Sequence, residues 1–304
     1  MNDWVDDTRK MNRFVLEWQS CHRAKMGADA LKSIGNVVSI RFTKDWIECL
    51  HCNSDTNVFL IIRINTEELV KYEFYCSTGD EIIIGLNPSD VSNGLPNKKT
   101  ETLAAIYENG RLEYGTYATI QPGSAPSVIS QLQLRQSNIF RHIEAEYPDK
   151  PHIKVTGAHF RKILNDLDKS LKTILLRPYE KGLEFISVNL VGIPVTRRHI
   201  GIIGGVASPL YYPPTYEDVS YNPIPGNHQS DIVHYDHIAA EYDHIVPLLL
   251  VSKLTDDTSL IKIYFNPDRN VPIKFTGPQS TEGDWRYWIK TKPAVNIPNP
   301  VLNY

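Results

Sequence analysis

One order of secondary-structure signals occurs twice along the chain, and this repetition constrains the fold more than any other feature. Residues 27–32 (GADALK) precede a strand–turn–strand pattern at 44–50, and residues 157–162 (GAHFRK) precede a similar pattern at 180–186. Each half continues with a long antiparallel stretch, a second short helix and a closing hairpin. The period is about 130 residues, which is longer than any solenoid repeat. The pattern predicts a duplicated α+β unit with mostly antiparallel strands.

Alternating apolar and polar residues indicate the strands, and turn residues separate them. The alternation is clearest at residues 13–18, 56–64 and 260–265. The sequence Glu-Asn-Gly at 108–110 lies between two strand-like runs, and this is a strong hairpin signal. We therefore expect a β-hairpin over residues 102–118.

Four segments have helical patterns. The first is at residues 23–34, and another follows Asp243 with Pro247 in its first turn. A short one begins near residue 87, and Gly94 and Pro96 would soon end it. The most regular, at residues 158–172, has apolar residues at helical spacing: Phe160, Ile163, Leu164, Leu167 and Leu171.

Composition excludes several classes of protein. The 304 residues are 41% hydrophobic and 22% charged, which rules out wholesale disorder, and the net charge of −3 rules out a strongly basic nucleic-acid coat. Four cysteines fit a reduced compartment, and no apolar run approaches the ~20 residues of a membrane span. The polar start is unlike a signal peptide. We expect an intracellular protein, nuclear or cytoplasmic according to its host, and not a secreted one.

The segment Cys49-Leu50-His51-Cys52 looks like half of a zinc site. A structural zinc needs four ligands, and no second pair of ligands follows at zinc-finger spacing. Alternation along a strand would also turn Cys52 away from Cys49 and His51. We expect buried strand cysteines here and no metal.

A second set of potential metal ligands is His237, Glu241 and His244, which spell HxxxExxH. A helix would bring the three side chains to one face and could hold a metal. In the duplicated architecture, however, the segment is a strand with Tyr242 facing the core, and His237 and Glu241 would stand ~13 Å apart. We expect no metal and no cofactor.

Two shorter motifs carry little weight. Residues 213–216 (PPTY) match the PPxY ligand of WW domains, but a loop rich in proline and tyrosine that packs on its own domain is the simpler interpretation. The glycines at 201–205 are not followed by a helix, so they do not form a phosphate-binding loop.

The duplicated strand–helix–hairpin unit resembles the DNA sliding clamps of the proliferating cell nuclear antigen type. The segments that carry the resemblance are DWIE at 45–48 with VFLIIRI at 58–64, FRKILNDL at 160–167, VPIKF at 271–275 and DWRYWIK at 284–290. The similarity of pattern extends over most of residues 11–292, although identities are sparse.

The resemblance implies a non-enzymatic DNA-replication protein. Chains of this family are polymerase processivity factors, and a two-domain chain would close as a homotrimer around double-stranded DNA without reading its sequence. Antiparallel sheets would form the outside, and helices would line the inner face. The expected organisation is clamp-like domain 1 at 11–134, an interdomain crossing at 135–150, clamp-like domain 2 at 151–292 with a long loop at 204–229, and a C-terminal tail at 293–304.

Basic residues on the predicted helices are candidates for contact with DNA phosphates. Lys162, Lys169 and Lys172 share a stripe with Asn165 opposite the leucine face. By resemblance, Lys32, Lys162 and Lys253 match positions that face the hole of the ring. A solvated helix face is the alternative explanation. The complete set of candidate DNA-facing residues is Arg23, Lys25, Lys32, Lys162, Lys169, Lys172 and Lys253.

The family also binds client proteins, among them the DNA polymerase, beneath the crossing between the two halves. Ile139 and Phe140 are the large apolar residues there, and they are the candidate client-binding residues. Three rival functions stay open: a processivity or transcription factor with the clamp fold but no ring, a metal-dependent enzyme using the HxxxExxH segment, and an adaptor that presents the PPxY loop.

Overall fold

The computed structural model describes most of the chain and divides it into two units. The described residues are 12–52, 58–77, 79–118, 128–136, 147–149, 151–179, 181–189, 194–202, 220–221, 238–265, 271–290 and 292–293. The first unit comprises Met1–His51, Leu60–Arg141 and Thr281–Asp284, and the second comprises Cys52–Phe59, His142–Ser280 and Trp285–Tyr304. Within the described ranges, no helix has the length and apolar character needed to cross a membrane.

The first unit contains two helices and two sheets. One sheet has the strand order β5-β1-β7-β8-β9, and the other includes the consecutive neighbours β4, β3, β2 and β6. The elements are β1 (Arg13–Trp18), α1 (Cys21–Lys32), β2 (Val38–Thr43), β3 (Trp46–Cys52), β4 (Val58–Asn65), β5 (Lys71–Tyr75), β6 (Glu81–Leu86), α2 (Pro88–Gly94), β7 (Glu101–Glu108), β8 (Arg111–Ala118) and β9 (Val128–Leu132).

The local sequence explains two features of this unit, the turn between β7 and β8 and the start of α2. Between β7 and β8, Asn109 and Gly110 have φ angles of 49° and 84°. Two consecutive positive φ angles define the tight hairpin turn for which Asn-Gly is suited, so the predicted hairpin is confirmed. At the start of α2, the side chain of Asn87 accepts a hydrogen bond from the Ser89 amide at 2.9 Å, and Pro88 occupies the first helical position.

The core of the first unit is built around stacked aromatic rings. Phe14 is fully buried, and its ring centroid lies 3.9 Å from that of Phe42 and 5.2 Å from that of Tyr107. Helix α1 covers this unit with small buried residues, including Gly27 and Ala30. Short side chains on its inner face let the helix lie close to the sheet.

The second unit repeats the plan with two helices and two sheets. One sheet has the order β13-β12-β11-β15-β19, and the other includes β14, β10, β16, β17 and β18 in that order. The elements are β10 (Ile153–Thr156), α3 (Gly157–Asn165), β11 (Thr173–Tyr179), β12 (Lys181–Val188), β13 (Pro194–Ile202), β14 (Ser220–Tyr221), β15 (Ile238–Glu241), α4 (Tyr242–Ser252), β16 (Leu260–Tyr264), β17 (Ile273–Pro278), β18 (Gly283–Ile289) and β19 (Lys292–Pro293).

Large aromatic side chains with satisfied polar groups fill the core of the second unit. The Trp285 indole donates to the Thr255 hydroxyl at 2.8 Å, and the Tyr287 hydroxyl donates to the His244 carbonyl at 2.6 Å. Gly277 is required beside them, because a Cβ there would lie 2.6 Å from the Trp285 ring. These contacts hold the first turn of α4 and the segment that follows the helix against the closing strands.

The predicted α+β class with antiparallel sheets and four helices is confirmed, but helix boundaries differ. Helix α1 spans Cys21–Lys32 instead of residues 23–34. Within the predicted loop at 204–229, Ser220–Tyr221 forms a short strand that pairs with β10. The rest of that loop, including the PPxY motif, lies outside the described residues.

The prediction of one helix over residues 158–172 is wrong, because α3 ends at Asn165. After the helix, the Asp168 carboxylate accepts hydrogen bonds from the Ser170 hydroxyl at 2.7 Å and from the Ser170 amide at 2.9 Å. Such a local turn competes with the helical hydrogen-bond ladder. The apolar residues up to Leu167 are nevertheless buried as expected.

The helix after residue 243 begins earlier than predicted. Helix α4 starts at Tyr242, so Pro247 lies inside the helix instead of in its first turn. The strand predicted for this segment is confirmed only as far as Glu241, where β15 ends. Ala240 of this strand faces the core, whereas Tyr242, which is predicted above to face the core from the strand, belongs to the helix.

Candidate nucleic-acid interface

Helices α1 and α2 of the first unit are joined through one buried serine. The Lys25 ammonium donates to the Ser92 carbonyl, and the Ser92 hydroxyl donates to the Asp29 carboxylate. Ser92 is almost fully buried. Lys25 therefore holds the two helices together. Because its ammonium group donates to a backbone carbonyl of the protein, it is less available to bind a DNA phosphate.

Arg23, another candidate DNA-facing residue, forms an ion pair. Its guanidinium lies 3.3 Å from the Glu282 carboxylate, which also accepts hydrogen bonds from the Trp18 indole at 3.2 Å and from the Ser20 hydroxyl. Both partners of the ion pair are mostly buried. Arg23 thus neutralises a carboxylate of its own unit, which sequence reasoning did not foresee.

The end of α1 presents the exposed cation of this helix. Lys32 occupies the last turn, where a positive charge interacts favourably with the helix dipole, and it has no ion pair with any described residue. Near the start of the helix, burial lowers the pKa of His22, and the charges of Lys99 and Arg23 lower it further. His22 is therefore neutral at pH 7, and Lys99 is an additional exposed cation near it.

In the second unit, one arginine of α3 binds the end of α4. The Arg161 guanidinium donates to the Ser252 carbonyl at 2.6 Å and to the Thr255 carbonyl at 2.8 Å, and it pairs with Asp257. The Ser252 carbonyl also accepts from the Thr255 amide at 3.2 Å, so Arg161 adds a second donor there and satisfies the Thr255 carbonyl beyond the helix end. A Cβ at Gly157 would lie 3.0 Å from this guanidinium, so the glycine permits the close approach.

Exposed lysines are also present on or beside both helices of the second unit. Lys162 lies on α3, and Lys253 is the capping residue directly after α4. Lys169 and Lys172 are exposed but lie beyond the end of α3, so the predicted stripe of lysines along one helix is broken. Asp166, which would dilute the positive charge, pairs with Arg198 at 3.5 Å.

The candidate client residues Ile139 and Phe140 lie outside the described residues. Close to the end of the same crossing, the Tyr147 hydroxyl donates to the Pro272 carbonyl at 2.7 Å. The Lys274 ammonium lies over three rings, 5.0 Å from the centroid of Tyr147 and 5.6 Å from those of Tyr264 and Trp288. We call Lys274 and these three aromatic residues the Lys274 aromatic cluster.

This cluster was not predicted from the sequence, although the pairing of two neighbouring strands indicates part of it. Tyr264 and Lys274 face each other in the register of β16 and β17, so hairpin pairing alone would have joined them. Phe59 extends the cluster, with its ring centroid 5.4 Å from that of Trp288. The arrangement is an aromatic cluster around one cation at the C-terminal hairpin, in which Trp288 and Phe59 are buried and Tyr147, Tyr264 and Lys274 are partly exposed.

The structure does not favour a metal site in the HxxxExxH segment. His237 lies outside the described residues, Glu241 ends a strand and His244 is buried in the following helix. The three residues therefore do not lie on one helix. Among the described residues, no group of three potential ligands is placed to hold an ion.

Comparison with known proteins gives a match in structure only. No protein-family model matches the sequence, and no curated protein matches it. The chain is similar to a solved structure, a PCNA2–PCNA3 complex from Sulfolobus tokodaii, with a TM-score of 0.67 and 12% sequence identity. The match covers 91% of this chain and 99% of that chain. The chain therefore has the sliding-clamp fold of the PCNA type, in a sequence that has diverged far from it.

Proposed function

We propose that the chain is a DNA sliding clamp that acts as a polymerase processivity factor and has no catalytic activity. Three copies would close into a ring around duplex DNA and tether a polymerase and other clients. The observation that carries the proposal is the clamp fold over 91% of the chain, together with exposed lysines on or beside the helices. The proposed domains are residues 11–134 and 151–292.

The DNA-facing surface centres on Lys32, Lys162 and Lys253, with Lys169 and Lys172 beside them. All five are exposed. Arg23 and Lys25 contribute less, because each is engaged within the first unit. A ring is retained on DNA by topology, so its lysines need only attract phosphates weakly and allow sliding. The net charge of −3 is compatible with such a local basic surface.

The salt dependence of DNA binding tests this surface. Alanine at Lys32, Lys162 and Lys253 should flatten the slope of log K against log salt, by roughly 0.9 for each phosphate that is no longer neutralised. Affinity should fall equally for any duplex sequence, because no base edge is read. Adding the Lys169 and Lys172 changes should weaken loading on circular DNA further.

A matched control removes three exposed lysines from strands and their turns: Lys44, Lys262 and Lys290. This variant loses the same charge, so a similar slope for both triple variants would mean that only net charge matters. Parent-like binding by the helix-lysine variant at every salt concentration would refute the DNA-facing assignment.

Ring closure requires two different surfaces of one chain, because head-to-tail contacts generate a closed ring. Strands β9 and β13 each end a five-stranded sheet, and uncovered edge strands can pair with another chain. Val195 on β13 is 53% exposed. We propose that β13 of one protomer pairs with β9 of the next.

Light scattering at micromolar concentration tests the ring. We expect about three times the protomer mass of 34.6 kDa for the parent. Val195→Glu should give monomers, because it places a charge in the interface, whereas Val70→Glu, at an equally exposed valine, should leave the trimer intact. A monomeric parent would remove the ring but leave the fold.

Client binding is the second part of the proposal. Ile139 and Phe140 would act with the Lys274 aromatic cluster, whose partly exposed Tyr147 and Tyr264 offer apolar area at the C-terminal hairpin. Replacing Ile139 and Phe140 with alanine should weaken polymerase stimulation while the melting temperature and the oligomeric state stay unchanged. A collapse of thermal stability would show that the two residues are core anchors instead.

A further inference from the structure

A large open groove lies on the first unit, and it shares no residue with the lysine surface or with the client residues. Its volume is about 1410 Å³. It is lined by the turn between β2 and β3, the short 3₁₀ helix Thr66–Glu68, strand β5 and the segment that leads from β5 to β6. Small-molecule pockets usually have volumes of about 300–1,000 Å³, so this groove is larger than most of them and has room for a longer ligand.

Aromatic side chains form part of the groove wall. The rings of Tyr72 and Phe74 are stacked with centroids 6.2 Å apart, and the Tyr72 hydroxyl donates to the Thr43 carbonyl at 2.7 Å. Trp46 lies at the same turn, where its amide donates to the Thr43 hydroxyl at 3.1 Å. Tyr75 lines the groove and is 47% exposed. The wall is therefore fixed in place and can contact apolar side chains.

Strand β5 brings an open edge of backbone to the groove. It is the terminal strand of its sheet and pairs with β1 in the register Arg13↔Tyr75 to Glu17↔Lys71. In the described part of the chain, no strand covers its other side. An extended peptide can add to such an edge through main-chain hydrogen bonds, with alternate side chains entering the groove.

The charged residues that line the groove determine which kind of peptide it can bind. Asp45, Glu67 and Asp80 are exposed at the groove and have no ion pair within the described ranges, whereas Glu81 pairs with Arg41 at 3.3 Å. Among the described residues that line the groove, Lys44 is the single basic one. The groove thus carries unbalanced negative charge, which repels phosphate groups and attracts lysine and arginine side chains.

We propose that the groove binds an extended segment of a partner protein in which apolar residues alternate with lysine or arginine, and that this segment adds to β5 as a strand. The chain's own N-terminal residues are the weaker candidate, because residues 1–11 carry three aspartates against one arginine and one lysine. This surface goes beyond the clamp function and does not depend on ring closure.

Fluorescence anisotropy with three labelled octapeptides tests the proposal on the full chain. One alternates valine and lysine, one alternates valine and glutamate, and one has the lysine pattern with two valines replaced by proline. The first should bind at least about tenfold more tightly than either of the others, and raising the salt concentration should weaken it. Its binding should also slow amide exchange in residues 71–75.

Two double variants that remove the same charge test whether the peptide binds in the groove. Asp45→Asn with Asp80→Asn should weaken binding of the valine–lysine peptide by at least about fivefold. Glu108→Gln with Glu113→Gln removes the same charge from exposed positions of the β7–β8 hairpin and should leave the affinity unchanged. Circular dichroism should show both variants folded, and light scattering on the same samples reports the oligomeric state separately.

Four results would overturn the proposal. Equal binding of the glutamate peptide would remove the charge argument, and equal binding of the proline peptide would remove strand addition. Unchanged affinity in the Asp45 and Asp80 double variant would place the peptide elsewhere. Binding that occurs only after deletion of residues 1–11 would assign the groove to the chain's own N-terminus.

Discussion

Replacing His51 with leucine should flatten the dependence of stability on pH below neutrality. His51 lies on β3 with 4% of its surface exposed, and neither ring nitrogen has a hydrogen-bond partner among the described residues. A Cβ added at Gly35 would lie 2.6 Å from the His51 Nε2 atom, so the ring is tightly enclosed. Burial lowers the pKa of His51 from 6.5 to about 4, because the charged ring would lose its hydration.

The sign and the size of the effect follow from this shift. Because the folded pKa lies below the unfolded one, the unfolded chain takes up the proton first as the pH falls. The contribution of neutral His51 is complete above pH 6.5 and is lost progressively between pH 6.5 and about 4. Each pH unit in this window costs at most about 1.4 kcal/mol, and less near either pKa, so the loss between pH 6.5 and 5 is about 1.5 kcal/mol.

Urea unfolding of the parent and of His51→Leu between pH 5 and 8 measures this loss. Protomer concentration must be fixed, because assembly would contribute to the apparent stability. His22→Gln is the matched control: the pKa of His22 is also lowered by burial, but this half-buried ring should have a smaller effect. If His51→Leu loses as much stability as the parent between pH 6.5 and 5, His51 is not held neutral in the folded state.

Three further substitutions test contacts within single units, each by chemical unfolding at pH 7. Glu282→Gln should lower the free energy of unfolding by about 1–3 kcal/mol, since it weakens three charge-assisted contacts, and a decrease no larger than that of Glu108→Gln would contradict this. Arg161→Met should cost about 1–2 kcal/mol, because the Thr255 carbonyl would lose its donor and the Ser252 carbonyl would keep only the Thr255 amide, and an unchanged unfolding midpoint would mean that water replaces the guanidinium. Lys274→Met keeps most of the aliphatic stem and removes the cation over three rings, so a decrease of about 1 kcal/mol is expected, and unchanged stability would show that the rings gain nothing from the charge.

The parts of the fold that could be predicted from the sequence are those with a local cause. The β7–β8 hairpin follows from Asn109 and Gly110, and the start of α2 follows from Asn87 and Pro88. The end of α3 could not be predicted by apolar spacing, because the pattern continues through Leu171 while the polar turn at 168–170 breaks the helix. Periodicity describes which face is buried and does not show where hydrogen bonding stops.

The residues of the candidate site also divide into those whose environment could be predicted from the sequence and those for which it could not. Exposure of Lys32 and Lys162 follows from their positions on the polar faces of α1 and α3, whereas Lys253 is exposed because it directly follows the end of α4. The engagement of Arg23 could not be predicted, because its partner Glu282 lies in the last hairpin of the chain. The Lys274 aromatic cluster was missed for a related reason, since its rings come from several elements that only the tertiary fold brings together.

The Glu282 contacts have a consequence for how the protein is made. The first unit is completed by Thr281–Asp284, and Trp18 is separated from Glu282 by 264 positions along the chain. At translation rates of about 5–20 residues per second, the carboxylate is synthesised roughly 13–50 s after the indole that it binds. Until then, the nascent unit exposes an arginine without its counter-charge, so chaperones can engage this half of the chain for longer than its place in the sequence suggests.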